Sequence, residues 1–184
     1  MKKLLAILIF ALATVVIQAQ VSITVNLSAV NRLSYLLTST EKTTVTNLTI
    51  TGIMDARDMK CIRDEITKLS YLNISNVEIK AYTGSQGTSP ISDVYLANQI
   101  PDWALSSKSS LKTLILPNSV TCIGMLAFSG CVNLSSLTMG NSVTAISGNA
   151  FERCSSMQTI IIPNSVISIG GYAFKSCTGL NSLN

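Results

Sequence analysis

Three cysteines stand at equal intervals: Cys131, Cys154 and Cys177 recur with a period of 23. Thiols in a row raise three chemistries: a metal centre, a set of disulfides or a nucleophile. Zinc sites are built from close pairs such as C-x-x-C, and the sequence contains none. Disulfides suit an exported chain, but identical slots in successive units give no pairing rule. The spacing therefore predicts a ladder of small buried thiols acting as modest hydrophobes. Cys61 and Cys122 fall outside that ladder, and a Cys61–Cys122 bond is the one pairing left open. There is no histidine at all, which removes Ser-His-Asp and Cys-His catalysis and the commonest metal ligand. Carboxylates remain. Asp55, Asp58, Asp64 and Glu65 cluster with Arg57, Lys60, Arg63 and Lys68. Paired acids can run acid–base chemistry, but mixed charges along one helix read as a solvated face with local ion pairs. Calcium-loop spacing is absent. The expectation is a chain that is not an enzyme and carries no metal or cofactor.

Four formal glycosylation sequons occur, at Asn26, Asn47, Asn73 and Asn133; in a chain rich in Asn and Ser they carry little weight. The segment 1–19 says more. Lys2 and Lys3 precede an uncharged, mostly apolar run from Leu4 to Ile17, closed by Gln18-Ala19-Gln20. That order predicts a secretory signal peptide over 1–19, cleaved after Ala19, and the run is too short to span a bilayer. No Cys near the cut points to a lipid anchor. Two of the 13 basic residues fall in this segment, leaving 11 against nine acidic and a formal charge of +2. So balanced a chain has no clustered basic face for nucleic acid.

The elements that position these residues announce themselves by period. Leu111, Leu134, Met157 and Leu180 recur at the interval of the cysteines, as do Leu114, Leu137, Ile160 and Leu183. The pair Ala127-Phe128 returns as Ala150-Phe151 and Ala173-Phe174, and Asn118-Ser119 as Asn141-Ser142 and Asn164-Ser165. A period of this length opening on L-x-x-L-x-L is the leucine-rich-repeat signature. Within one unit, Leu114 and Leu116 alternate with Thr113 and Ile115 as a strand with one buried face. Pro117-Asn118-Ser119 ends it. Val120 and Ile123 return to the core, Gly124 permits a tight bend, and Ala127-Phe128 pack on the far side from a short helical turn. One such coil cannot bury its own apolar edge. Stacked coils pair strand to strand and make a continuous core, with Phe128, Phe151 and Phe174 as an internal ridge.

These residues resemble the BspA-like leucine-rich-repeat family of bacterial surface proteins, whose pattern reads approximately L-x-x-L-x-I-P-x-S-V-x-x-I-G-x-x-A-F-x-x-C. Ile162-Pro163-Asn164-Ser165-Val166, Ile169-Gly170, Ala173-Phe174 and Cys177 follow it closely. The resemblance covers 111–184. The stretches Val45–Gly52, Asp55–Asp58 and Ala81–Gly84 look like the N-terminal cap of some members. The resemblance implies a secreted or surface-exposed protein associated with adhesion and host contact, and it carries over no catalytic motif.

The expected fold is an α/β repeat: a leucine-rich-repeat solenoid of 23-residue units with a parallel strand stack and an N-terminal α/β cap. The divisions are 1–19 signal peptide, 20–110 capping region and 111–184 repeats. In the cap, Leu48-Thr49-Ile50 and Leu72-Asn73-Ile74 predict strands. Between them Asp55 is a good N-cap, followed by Met59, Ile62, Ile66 and Leu69 at helical spacing. Residues 82–98 read as a surface loop, and Ala104-Leu105, one period before Ala127-Phe128, starts the array near Ile100. The chain stops at Leu180-Asn181-Ser182-Leu183-Asn184, inside a strand. The reading favoured there is a fragment or truncated product lacking an anchoring or sorting domain, with self-association through the uncapped edge as a further expectation.

The candidate partner-binding face is the outward side of the strands: Asn47, Thr49, Tyr71, Asn73, Thr113, Ile115, Ser136, Thr138, Thr159 and Ile161. Its hydroxyls, amides and few apolar groups suit an extracellular protein or glycan. The same composition also serves plain β-propensity. A structural or self-associating surface-layer protein is the alternative function.

Overall fold

The computed structural model describes residues 20–183; the expected signal peptide lies outside the described residues. Six strands open successive coils: β1 (Ser22–Leu27), β2 (Asn47–Met54) and β3 (Tyr71–Ile79) are long, and β7 (Thr113–Ile115), β9 (Ser136–Thr138) and β11 (Thr159–Ile160) are short. One five-stranded sheet runs in the order β1-β2-β3-β7-β9. β11 pairs in parallel with β13 (Ser182–Leu183). The expected strands at 48–50 and 72–74 are present, and the register carries Leu48 opposite Leu72 and Leu72 opposite Leu114. The alternation works as the period-2 rule demands: Leu48, Ile50, Leu72, Ile74, Leu114 and Leu116 are buried.

A second parallel sheet forms the next side of each coil, in the order β12 (Ser168–Ile169), β10 (Ala145–Ile146), β8 (Cys122–Ile123) and β6 (Gln99–Ile100). Gly124 sits at its corner for a reason other than bending. Its φ is unexceptional, but a Cβ there would lie 2.6 Å from the Asp102 amide nitrogen and 2.7 Å from the Ile100 carbonyl oxygen. The residue is small because the preceding coil is that close.

The far side holds no regular helix. Ala127, Ser129 and Cys131 each donate their amide to the carbonyl three residues back, but left-handed residues interrupt the turns. These recur in two columns with the repeat: Trp103, Leu126, Asn149 and Tyr172 at φ between 54° and 60°, and Ser107, Gly130, Arg153 and Ser176 at φ between 59° and 75°. Their effect is to turn alternate amides along the stack. Leu126, Phe128 and Gly130 donate to the carbonyls of Gly148, Ala150 and Glu152, one coil on, and Asn149, Phe151 and Arg153 repeat the pattern to Gly171, Ala173 and Lys175. A continuous helix would close its amides on itself; the left-handed breaks exchange that for bonds between coils. Left-handed backbone costs a non-glycine residue on the order of 1 kcal/mol, offset by an inter-coil hydrogen bond worth about as much and by the core it closes. In that core Phe128 and Phe151 are fully buried and stack 5.2 Å apart, and Phe151 stacks on Phe174 at 5.4 Å.

The N-terminal half leads directly into this stack, with β3 pairing β7. Helix α3 (Ala56–Asp64) begins at the expected N-cap Asp55, which the structure closes into a capping box with Asp58. It is shorter than the apolar spacing suggests. Ile66 and Leu69 are buried but lie beyond its end, on the turn back to β3. Strand β1 and the short helices α1 (Leu33–Leu36) and α2 (Ser39–Thr44) have no counterpart in the sequence reading. Gly52, at φ 92°, lets β2 pass Leu27: a Cβ there would come 2.2 Å from the Leu27 carbonyl oxygen. The 82–98 loop contains a small antiparallel pair, β4 (Tyr82–Thr83) and β5 (Val94–Tyr95), whose tyrosine rings stack 5.7 Å apart.

Candidate functional site

The structure places eight of the ten expected face residues in two straight rows. Asn47, Tyr71, Thr113 and Ser136 are register partners across β2, β3, β7 and β9; Thr49, Asn73, Ile115 and Thr138 form the second row. Thr159 lies on β11, opposite Ser182. Ile161 follows β11 and is 73% exposed. The rows change along the stack: the Asn47-to-Ile115 end is half-buried, whereas Ser136, Thr138, Thr159 and Ile161 are exposed. One atom stands out, because the Oδ1 of Asn47 is enclosed and accepts no hydrogen bond among the described residues. Buried acceptors are normally satisfied.

A second surface escaped sequence reasoning. One residue before each strand, the chain makes a rim: Ser70 donates its amide to the Thr46 carbonyl, Lys112 to Ser70, Ser135 to Lys112 and Asn181 to Gln158. Two adjoining grooves of about 440 and 560 Å³ run along this rim and share Lys112 and Asn133. Every lining side chain is polar, Gly179 apart, and none is acidic. The signal for it lay in the repeat, in the column Lys112, Ser135, Gln158, Asn181, but columns outside the apolar pattern are hard to tell from ordinary solvated surface.

The acidic cluster is not a solvated face. Asp55 and Asp58 are buried, at 0% and 1% exposure. Asp58 accepts the amides of Asn31 (2.8 Å), Arg32 (2.9 Å), Leu33 (3.0 Å) and Asp55 (3.2 Å). Asp55 pairs with Arg57 at 2.6 Å, and that guanidinium lies 4.4 Å from the Tyr82 ring centre. Of the other two acids, Asp64 forms a local ion pair with Arg63, whereas Glu65 pairs with Lys42, 23 residues away in the chain. Asp58 is consumed in holding backbone, and Asp55 in holding the Arg57 amide and guanidinium.

All five cysteines are free thiols. In the ladder, Cys131, Cys154 and Cys177 donate to the carbonyls of Leu105, Phe128 and Phe151, at 3.1, 3.3 and 3.0 Å. A thiol is thus more than filler here, since it satisfies a carbonyl of the preceding coil. Burial pushes the Cys131 thiol up to about 12, and burial with the Glu65 charge does the same to Cys61, so both are poor nucleophiles. Half-buried Cys122 lies 3.8 Å from the Ser147 hydroxyl. Among the described residues no three His, Cys, Asp or Glu side chains stand together to hold a metal ion, and no helix is long and apolar enough to cross a membrane.

Lys108 joins the two halves. It is 6% exposed, and its ammonium donates to the carbonyls of Arg63 (3.0 Å) and Ile66 at the end of α3. Burial pulls its pKa down to about 8, partly opposed by Asp64 and by the Cys131 and Cys61 thiols. Between that value and the ordinary 10.5 the unfolded chain binds the extra proton, so stability rises with pH across this window. Relative to a Lys108→Met variant, the wild type should gain on the order of 1–3 kcal/mol from about pH 7.5 to 10.5. Denaturant unfolding at three pH values reads this, and parallel curves for the two proteins would refute it.

The family described as "BspA type Leucine rich repeat region (6 copies)" matches residues 98–184. No curated protein matches the chain. Among solved structures, a leucine-rich repeat protein from Bacteroides capillosus is 24% identical over 52% of this chain and 68% of its own, with a TM-score of 0.41. A T. pallidum leucine rich repeat protein is 23% identical over 72% of this chain and 63% of its own, at TM-score 0.46. A leucine rich cell surface protein from Faecalibacterium prausnitzii is 21% identical over 87% of this chain, at TM-score 0.46; the match spans only 42% of that longer protein. The period and the two parallel sheets agree with that match, and residues 98–184 form a BspA-type leucine-rich repeat region.

Proposed function

We propose that this chain is an exported, non-enzymatic binding module that uses its strand face to hold an extracellular protein or glycan partner, at the bacterial surface or after release. The observation that carries this reading is the register that lines up Asn47, Tyr71, Thr113 and Ser136 beside Thr49, Asn73, Ile115 and Thr138. These rows put amides, hydroxyls and one aromatic ring on a sheet whose opposite face is core. Such a rigid array loses little entropy when a partner docks. Export rests on the basic, apolar and small-residue order of residues 1–19, and adhesion is the role that the resemblance of the repeats to the BspA-like family implies.

The test is binding of the exported chain to an immobilised panel of extracellular proteins and glycans, beside a folded Thr138→Lys/Ile161→Glu variant. Both positions are exposed, so the fold should survive. Saturable binding that falls by about tenfold or more in the variant is the expected outcome. Binding that is unchanged removes the strand face as the site. Self-association is the second reading, favoured by exposed Ile161, Ile167, Ile169 and Tyr172 on the last described coils. Light scattering across a concentration series separates the two, since a constant monomer mass excludes it.

A further inference from the structure

The geometry points to a second, separate site: the rim groove binds a linear acidic glycan laid along the stack, one sugar to each coil. This rests on the binding-module reading but not on the strand face. Three features of the groove carry it. The first is composition. The rim runs Thr46, Ser70, Lys112, Ser135, Gln158, Asn181, and the whole lining holds no aromatic ring, no aliphatic side chain and no carboxylate. Protein partners are held by buried aromatic and arginine anchors, and single-stranded nucleic acid by stacking rings; both are missing. A polyhydroxylated chain needs what is present, many hydroxyls and amides with spare capacity. The Thr46, Ser70 and Ser135 hydroxyls each donate to a ladder carbonyl of the neighbouring coil, which fixes their orientation; the Thr46 oxygen also accepts the Val21 amide, while those of Ser70 and Ser135 keep acceptor capacity.

The second feature is spacing. Rim residues repeat with the coils, and neighbouring parallel strands are about 4.8 Å apart. An extended peptide advances only about 3.3–3.6 Å per residue, so its groups drift out of step with the rim within two or three coils. An equatorially linked pyranose advances by close to one coil, and stays in step. The third feature is charge. Lys112 and Lys68 are exposed on neighbouring coils, since β3 pairs β7, and neither has an ion-pair partner among the described residues. Two ammonium groups beside an acid-free groove select carboxylate or sulfate substituents on adjacent sugars, at the modest strength of exposed charge pairs.

The experiment uses the exported chain and four soluble probes, read by calorimetry: a linear oligomannuronate, its carboxyl-reduced neutral form, a sulfated form of that neutral chain, and polyglutamate. The oligomannuronate should bind, and the neutral form should bind about tenfold more weakly. Binding by the sulfated form would show that either anion serves, and its failure would narrow the site to carboxylates. Lys112→Glu should weaken oligomannuronate about tenfold or more, and Gln158→Ala by a few-fold, both without change in thermal stability because both side chains are exposed. The Thr138→Lys/Ile161→Glu variant should bind this probe as the wild type does, which separates this site from the strand face. Polyglutamate binding as tightly as oligomannuronate would reduce the groove to a charge effect and overturn the assignment. So would an oligomannuronate affinity indifferent to Lys112→Glu, or none at all.

Discussion

Asp58→Asn should lower stability by about 3 kcal/mol or more, among the largest effects of any single conservative change in this chain. The carboxylate accepts four backbone amides, two on each oxygen: Arg32 and Leu33 on Oδ1, Asn31 and Asp55 on Oδ2. Asparagine replaces one oxygen with a donor, so two buried amides lose their acceptor and face an N–H instead. Each such loss costs about 1–3 kcal/mol, and the favourable charge at the start of α3 goes as well. For a chain of this size the melting point should fall by roughly 6–12 °C. The damage should also be local. Hydrogen exchange should speed up first at Asn31–Leu33, where the segment between β1 and α1 is pinned to α3, and later in the distant coils. A melting point within about 2 °C of wild type (about 1 kcal/mol or less) would mean that those amides have other acceptors.

Phe151→Ala should cost about 3–5 kcal/mol, and Phe174→Ala clearly less. Phe151 is fully buried between Phe128 and Phe174, whereas Phe174 is only partly covered. Removing the central ring opens a cavity facing two coils at once, and the stack cannot close it without shifting the inter-coil bonds of Phe151 and Arg153 to Ala173 and Lys175. A solenoid is stabilised by nearest-neighbour contacts, so the loss should appear as early unfolding of the coils around 145–177 while the β1–β3 sheet persists. Denaturant unfolding combined with segment-resolved hydrogen exchange reads both parts. Equal penalties for the two substitutions would count against the ridge as the main tie between coils.

How much of this was legible beforehand follows from what kind of force each element depends on. The coils were readable because their positions repeat: Leu114 and Ile160 in the strands, Ala127-Phe128 on the far side and Cys131 at the return all follow from burying one apolar edge against an identical one. The Asp55 helix start was readable because an N-cap is local. The strand rows were readable because period-2 alternation needs only a neighbour on each side, and the structure supplies it from β2 to β9.

A second group of features depends on contacts between distant segments. Asp58 looked like one charge on a wet helix; it became a buried acceptor because the segment after β1 folds over α3 and brings amides from 25 to 27 residues away. Gly124 reads from the sequence as the residue that permits a tight bend, but it is small as a matter of room, set by the Asp102 backbone of the preceding coil. The left-handed columns at Leu126 and Arg153 have no consistent residue type, since what demands them is the next coil's carbonyls. The rim groove likewise exists only once coils are stacked. Residue type and period alone set the repeat, the buried columns and the absence of histidine chemistry. Which polar groups are buried, which backbone is bent and which surfaces are concave were set by partners far apart in the chain, because hydrogen-bond satisfaction and close packing belong to the assembled stack.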